Sequence, residues 1–404
     1  MPRCAMTEDN NLFKNHLKEV NKDGSSDSAA YKLVFFLVKL LFGSKPEPEF
    51  ILNDFEKVNG PYILLSNHES FYDFYYLYRL PHKIKPVYVV NRHYCTMPFL
   101  RLLSRRAGMI PKKLFFDDMV TPVRIMRTLK KGCPVIIYPE GRLSIDGRTN
   151  PIAESGGAFY KRLGVDIVLT KVNGAFYEKP KWRKRRYRTP VTVTVARVIS
   201  REQAASMSAE ELNRVIADTI RNDASKTLLC KYPQKDKAEG LHNILYRCFS
   251  CDGLYTTSSK GNTITCSKCG KTFTLDEDYR FTEEPYTMAS WYDHMTEVEK
   301  KTIRDIDLNA DVTAVIYSNT GKKRKERGKC RLTFEGFTYE SANENFYYPM
   351  DKLRGIPFHS GQEFELYHDD QMHYFYPDEK PAQVARWAHI VDIIKSMEGQ
   401  QGEE

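Results

Sequence analysis

The chain has 404 residues, 41% of them hydrophobic and 28% charged, enough for one sizeable core and a further module. A mean hydropathy of −0.53 excludes a polytopic membrane protein, and no collagen-like or coiled-coil composition shows. The 61 Lys and Arg outnumber the 52 Asp and Glu, a formal charge of +9 that favours nucleic acid, an anionic membrane or phosphorylated substrates as partners.

Residues 1–45 read as amphipathic helices that associate with a membrane. Tyr31 to Phe42, YKLVFFLVKLLF, is nearly all apolar but shorter than the about 20 residues a spanning helix needs. Its two charges, Lys32 and Lys39, lie seven apart and share one helical face, as in a helix lying in the membrane surface. The alternative is a helix packed over a core. Phe13, Leu17 and Val20 make a weaker stripe upstream. No secretory signal opens the chain, so the expected setting is cytoplasmic, peripheral on the inner face of the membrane.

Residues 46–235 alternate between two patterns. YILLSNH, KPVYVVN, CPVIIYPEG, DIVLTKVNG and PVTVTVARV read as strands with near-continuous apolar runs, as in a sheet buried on both faces. Thr121-Pro122 opens an intervening helix and Gly132 closes it, and Ser208 with Glu211 starts another toward Ser225. This predicts an α/β fold, a mostly parallel sheet with flanking helices. A basic loop, Lys179 to Arg188, surrounds Trp182 and Tyr187, residue types that favour a membrane interface.

The chemical signal starts at Asn67 in NHESFYD. His68 ends a predicted strand and Asp73 follows five residues later, close enough to fix the tautomer of a catalytic imidazole. The pattern is weak alone, and HYFYPD, from His373 to Asp378, fits the same template. About seventy residues beyond His68, a second strand ends in Tyr138-Pro139-Glu140-Gly141-Arg142. Ligands of open α/β sheets bind at the carboxyl ends of strands, so both motifs fall on one rim, where Arg142 suits a phosphate.

These blocks together resemble the glycerolipid acyltransferases, the group containing 1-acylglycerol-3-phosphate acyltransferase, over about Tyr62 to Phe176. YPEGRLSIDG is similar to the EGR form of bacterial lysophospholipid acyltransferases. Asn91-Arg92, Met97-Pro98-Phe99 and Gly108 to Lys112 look like the family's second block, where a basic residue contacts the acceptor phosphate. Arg142 directly follows Gly141 where the commonest third block has Thr, and Leu169 stands where the fourth usually has Pro. The resemblance implies a glycerol-3-phosphate acyltransferase-like fold with His68 as general base and Asp73 as its orienting partner. Asn67, Ser70, Arg92, Lys112, Lys113, Glu140, Gly141 and Arg142 would hold substrate, with amides near Ser70 facing the oxyanion. It also implies a lysophospholipid acceptor, 1-acyl-sn-glycerol-3-phosphate foremost, and acyl-CoA or acyl carrier protein as donor.

Residues 241–280 hold Cys248, Cys251, Cys266 and Cys269, two CxxC pairs around a Gly261-Asn262 turn. The spacing resembles a zinc ribbon whose four thiolates hold a structural Zn²⁺. Residues 295–398 read as a β-rich module with a pleckstrin-homology outline, closed by a helix carrying Val384, Trp387, Val391 and Ile394. The run GKKRKERGKCR, Gly321 to Arg331, reads as a hairpin loop. Two other functions are weighed against catalysis: a non-catalytic lipid- or partner-binding protein on an acyltransferase shell, and a zinc-ribbon nucleic-acid binder, the least favoured.

Overall fold

The computed structural model describes residues 29–43, 46–96, 104, 109–116, 118–318, 322–369, 371–379 and 382–401. Helix α1 (Ala29–Phe42) leads into an α/β unit with strands β1 (Glu49–Ile51), β2 (Tyr62–Ser66), β3 (Val87–Asn91), β4 (Ile110–Lys112), β5 (Val135–Ile137), β6 (Asp166–Asn173) and β7 (Thr192–Ile199). Between them lie α2 (Asp73–Tyr78), α3 (Val120–Lys130) and α4 (Gly156–Leu163), and α5 (Ala209–Ile220) follows. The strand order is β1-β7-β6-β2-β5-β3-β4, parallel throughout except between β6 and β7. The predicted parallel character therefore holds with one antiparallel pair.

The apolar runs are continuous because the sheet is covered twice. Leu64, Ile136 and Val168 pack on one face with Phe35 of α1 and Tyr75 of α2. Their chain neighbours Ile63, Leu65, Val135, Ile137 and Ile167 point the other way, onto Ile125 of α3, Tyr160 of α4 and Leu212 and Ile216 of α5. The helix ends differ from expectation in detail. Helix α3 begins at Val120, one residue before Thr121, and Asp118 just ahead of it takes the amides of Val120 and Thr121 at 3.0 and 3.1 Å. Helix α5 begins at the Ser208 cap as predicted but stops at Ile220, short of Ser225.

The two faces of α1 differ, and one packs over the core as the alternative reading of the Tyr31–Phe42 run has it. Tyr31, Val34 and Phe35 are buried, and Phe35 stacks on Tyr78 at 3.9 Å. Leu33, Phe36 and Leu40 face outward at 56%, 63% and 72% exposure, beside the exposed Lys32 and Lys39. Among the described residues no helix is long and apolar enough to cross a membrane. The upstream stripe at Phe13, Leu17 and Val20 lies outside the described residues.

The loop after β6 overturns one expectation. Trp182, Arg183 and Tyr187 are buried rather than presented at a surface. The Trp182 indole donates to Lys237 O at 3.1 Å, and the Arg183 guanidinium stacks 3.5 Å from the Tyr187 ring centre. Only Lys184, Arg185 and Arg188 of the basic set are exposed. Interleaved basic and aromatic residues satisfy one another by cation–π stacking when folded inward, which the sequence pattern does not distinguish from an interface.

Beyond α5, β8 (Thr257–Lys260), β9 (Thr263–Cys266) and β10 (Thr272–Thr274) make a small antiparallel sheet, followed by α6 (Met288–Lys300). The β-rich module is a six-stranded antiparallel sheet: β11 (Asp307–Tyr317), β12 (Lys323–Thr333), β13 (Gly336–Ser341), β14 (Asn345–Pro349), β15 (Phe364–His368) and β16 (Gln371–Pro377), in the order β14-β13-β12-β11-β16-β15. Most of the run expected to be a hairpin loop is β12, which pairs with β11 along its whole length. Helix α7 (Gln383–Gln401) closes the sheet, with Val384, Trp387, Val391 and Ile394 buried as expected. One apolar core runs through all three regions, from Phe176 and Trp182 through Cys248 and Trp291 to Phe364 and Trp387. Within it, buried Glu299 of α6 binds Arg247 at 2.8 Å and Arg386 of α7 at 3.0 Å.

Candidate active site

Register brings the two motifs together. Strands β2 and β5 are parallel neighbours with Leu65 opposite Ile137, so His68 and Glu140 each stand three residues past a paired position. The His68 amide donates to Glu140 Oε1 at 2.7 Å. The other carboxylate oxygen accepts from Asn150 N and Nδ2 at 2.6 and 2.7 Å. Glu140 is buried and pushed up to about 8 by burial, against the pull of these donors. Gly141 turns the chain at φ +69°, a left-handed conformation that favours glycine.

Asp73 opens α2, and its Oδ2 accepts from the Ser70 amide at 2.9 Å. The same oxygen lies 2.9 Å from His68 Nδ1. An oxygen already accepting one N–H is read as accepting the second, so Nδ1 carries the proton and Nε2 the lone pair. The Tyr138 ring stacks on the imidazole at 3.9 Å and 11°. The Asp73 side chain is fully buried, whereas His68 keeps 19% exposure, and Nε2 has no hydrogen-bond partner among the described residues. Burial, and then the charge of Lys181, lower the imidazole to about 3. Burial lifts the Asp73 carboxyl, opposed by the amides of Ser70 and Glu69.

Several residues expected to face substrate are turned to protein instead. Asn67 clamps β6, its Nδ2 donating to Val172 O and its Oδ1 accepting from Val172 N, both at 2.8 Å. Glu140 joins the two motif loops. The Ser70 amide is taken by Asp73, so it is not free for an oxyanion. Arg92 is buried just after β3, and Lys112 ends β4, where burial lowers its amine. The latter stands three strands from β2 on the same rim, about 14 Å away at ordinary strand spacing. Lys113 follows it, its amide donating to Asp118 at 3.2 Å. Part of the second block, residues 97–103 and 105–108, lies outside the described residues.

Arg142 grips a carboxylate across the fold. Its Nη1 donates to Asp392 Oδ1 of α7 at 3.0 Å, its Nη2 lies 2.8 Å from Oδ2, and its Nε donates to Asn150 at 3.2 Å. Asn91, at the end of β3, donates to Glu365 at 2.9 Å and accepts from the Tyr367 hydroxyl at 3.2 Å. The β-rich module thus meets the sheet rim that carries the His–Asp pair. Sequence reasoning missed Tyr138, Asn150, Lys181 and Asp392 as neighbours of the site. Of these, the sequence singles out Tyr138 only as the end of a strand and Lys181 only within the basic loop.

The second His–Asp template does not form a pair. His373 and Asp378 lie on or just past β16, where residues five apart point to opposite faces. His373 Nε2 contacts Glu344 at 3.0 Å, and Asp378 binds Arg327.

The Cys248 and Cys269 sulfurs lie 3.8 Å apart, as do those of Cys251 and Cys266, and all four fall within 4.8 Å of one another. A disulfide needs about 2.05 Å, whereas tetrahedral thiolates about 2.3 Å from one zinc ion stand about 3.8 Å apart. The donor set and its spacing fit Zn²⁺.

Because burial and a nearby ammonium disfavour the imidazolium, the His68 ring is expected to show no titration between pH 5 and 8 in heteronuclear NMR spectra. A midpoint near 6.5 would contradict this electrostatic account.

Residues 48–168 match the family model described as Acyltransferase. The chain is 29% identical over 125 residues to the chloroplastic 1-acyl-sn-glycerol-3-phosphate acyltransferase BAT2 of Brassica napus, covering 30% of this chain and 36% of that one. It is 29% identical over 125 residues to the chloroplastic LPAT1 of Arabidopsis thaliana, covering 30% and 35%. The chain thus spans about a third of the length of the curated relatives it matches. Among solved structures, the 1-acyl-sn-glycerophosphate acyltransferase PlsC of Thermotoga maritima aligns over 54% of this chain and 82% of its own, at 18% identity and a TM-score of 0.35. The chain carries an acyltransferase-family domain over residues 48–168, similar to the 1-acyl-sn-glycerol-3-phosphate acyltransferases.

Proposed function

We propose that this protein transfers a fatty acyl group from a thioester, acyl-CoA or acyl carrier protein, to the free hydroxyl of a lysophospholipid. The favoured acceptor is 1-acyl-sn-glycerol-3-phosphate, which would give phosphatidic acid. The observation that carries this reading is His68, locked through Nδ1 by Asp73 with Nε2 unpartnered among the described residues, on the sheet rim that also presents Arg142.

The chemistry follows from the tautomer. Nε2 takes the proton of the acceptor hydroxyl as its oxygen attacks the thioester carbonyl. The Asp73 carboxylate meets the imidazolium that forms. When the tetrahedral intermediate collapses, the C–S bond breaks and His68 returns the proton to the departing sulfur. No covalent enzyme intermediate is required. Glu140 holds the His68 backbone, and Arg142 supplies a planar cation for the acceptor phosphate.

Two supporting roles complete the reading. Cys248, Cys251, Cys266 and Cys269 would hold a structural Zn²⁺, whose four-thiolate shell leaves no place for substrate. The outward Leu33, Phe36 and Leu40 of α1, flanked by Lys32 and Lys39, would lie in an anionic membrane surface. The acceptor and product would reside there.

His68→Ala is expected to lower acyl transfer to lysophosphatidate by about 10²–10⁴-fold in a thioester-release assay while the melting temperature holds. Full activity in that variant would sink the assignment. Chelation under denaturing conditions should release one zinc per chain by colorimetry, and Cys251→Ser should abolish that yield. A metal-free chain with unchanged thermal stability speaks against the ribbon. Phe36→Asp should reduce sedimentation with phosphatidylglycerol vesicles several-fold, and equal sedimentation would remove α1 from the interface.

A further inference from the structure

Within the α/β unit, the cation of the third motif faces a carboxylate from far outside the family-matched stretch. Arg142 and Asp392 meet through two parallel contacts, 3.0 and 2.8 Å, the fork geometry that a guanidinium also offers a phosphate. Both side chains are largely shielded, at 13% and 26% exposure. A second cation stands with them. Lys181, on the loop after β6, holds its ammonium 3.5 Å from the centre of the Phe358 ring, which belongs to the β-rich module. Burial and the charge of Arg142 lower its amine to about 7, while Asp392 and Glu365 pull the other way.

Arg142 therefore holds the Asp392 carboxylate directly, and Lys181 stands near enough for its charge to be felt there, with Glu365 as a second anion. A phosphate monoester carries about −1.5 to −2 at neutral pH and offers three acceptor oxygens. It matches the Arg142–Lys181 pair better than a single carboxylate does. A zwitterionic or neutral acceptor gains less from displacing Asp392.

We propose that Asp392 is a specificity-determining residue. Its carboxylate fills the anion place formed by Arg142 and Lys181 until the terminal phosphate monoester of the acceptor takes it. This rests on the acyltransferase reading for the identity of the acceptor, but the anion place itself does not. Helix α7 thereby contributes to acceptor choice, and Lys181 joins Arg142 as a phosphate contact. An acceptor lacking the phosphate must leave Asp392 seated or strand two cations, which costs affinity.

Calorimetric titration of the full chain tests this without turnover, using inorganic phosphate and a short-chain 1-acylglycerol 3-phosphate. Asp392→Asn keeps the shape and one acceptor for Arg142 but removes the competing charge. It is expected to bind both anions several-fold more tightly than the unaltered chain. Lys181→Met is expected to bind them at least tenfold more weakly. Unchanged or weaker anion binding in Asp392→Asn overturns the proposal, whatever its melting temperature. Should that variant fail to fold, Lys181→Met decides alone, and an unchanged affinity there overturns it equally. Tighter binding of the acylated phosphate than of inorganic phosphate marks a lipid headgroup as occupant, and the reverse order refutes that. Anion binding that responds as expected in a chain without acyl transfer would refute the enzyme reading and leave the anion place standing.

Discussion

The carboxylate of Glu140 is the tie on which the site depends. It receives the His68 amide on one oxygen and Asn150 on the other, so it fixes the loops after β2 and β5 to each other. Parallel register brings the loops alongside, and this bond, with the Ser144 amide donating to His68 O at 2.8 Å, sets the height of the His68 backbone above the sheet. Asn67 does the same toward β6, through both polar atoms of its side chain. With its main chain held from two sides, His68 needs only Asp73 and the Tyr138 ring to orient the imidazole. Such support fits the general rule that a reacting group is placed by neighbours that do not themselves react.

Burial supplies the electrostatic half of the design. Asp73, Glu69 and Glu140 are all removed from water, and each is offset by directed N–H donors rather than by a neighbouring cation. Glu69 accepts from Phe176 N at 3.0 Å and from Asn222 Nδ2 at 2.5 Å, tying the segment after His68 to the far side of the sheet. Arg142 and Lys181 face Asp392, yet both reach this group, Arg142 through Glu140 and Lys181 through His68.

Much of this was legible in the residues, wherever a short stretch carried its own physics. YILLS and PVII announce buried strands because both faces are covered, and a His followed by Asp one helical step later announces a reach-back contact. The false template at His373 shows what supplies the meaning: on a strand the same spacing sends the two side chains apart. Chemical type alone misled at Asn67, Ser70 and Glu140, because a polar group beside the His–Asp pair serves the scaffold as readily as a ligand. The basic loop misled for a related reason, since Trp182 and Tyr187 lie inside with Arg183 between their partners. Arg142 and Asp392 are 250 positions apart, and no local pattern encodes a contact made by the packing of separate sheets.

The ion triad of Glu299 with Arg247 and Arg386 has a bearing on how the chain tolerates being shortened. Arg247 directly precedes Cys248, and Arg386 lies less than two turns before Asp392 on α7. A fragment cut at residue 168 would lose Asp392 with the rest, and would bare the apolar surfaces around Ile63 and Leu65 that now pack with Leu212 and Ile216. The short family-like segment therefore does not stand as a unit by itself, because later elements complete its interior.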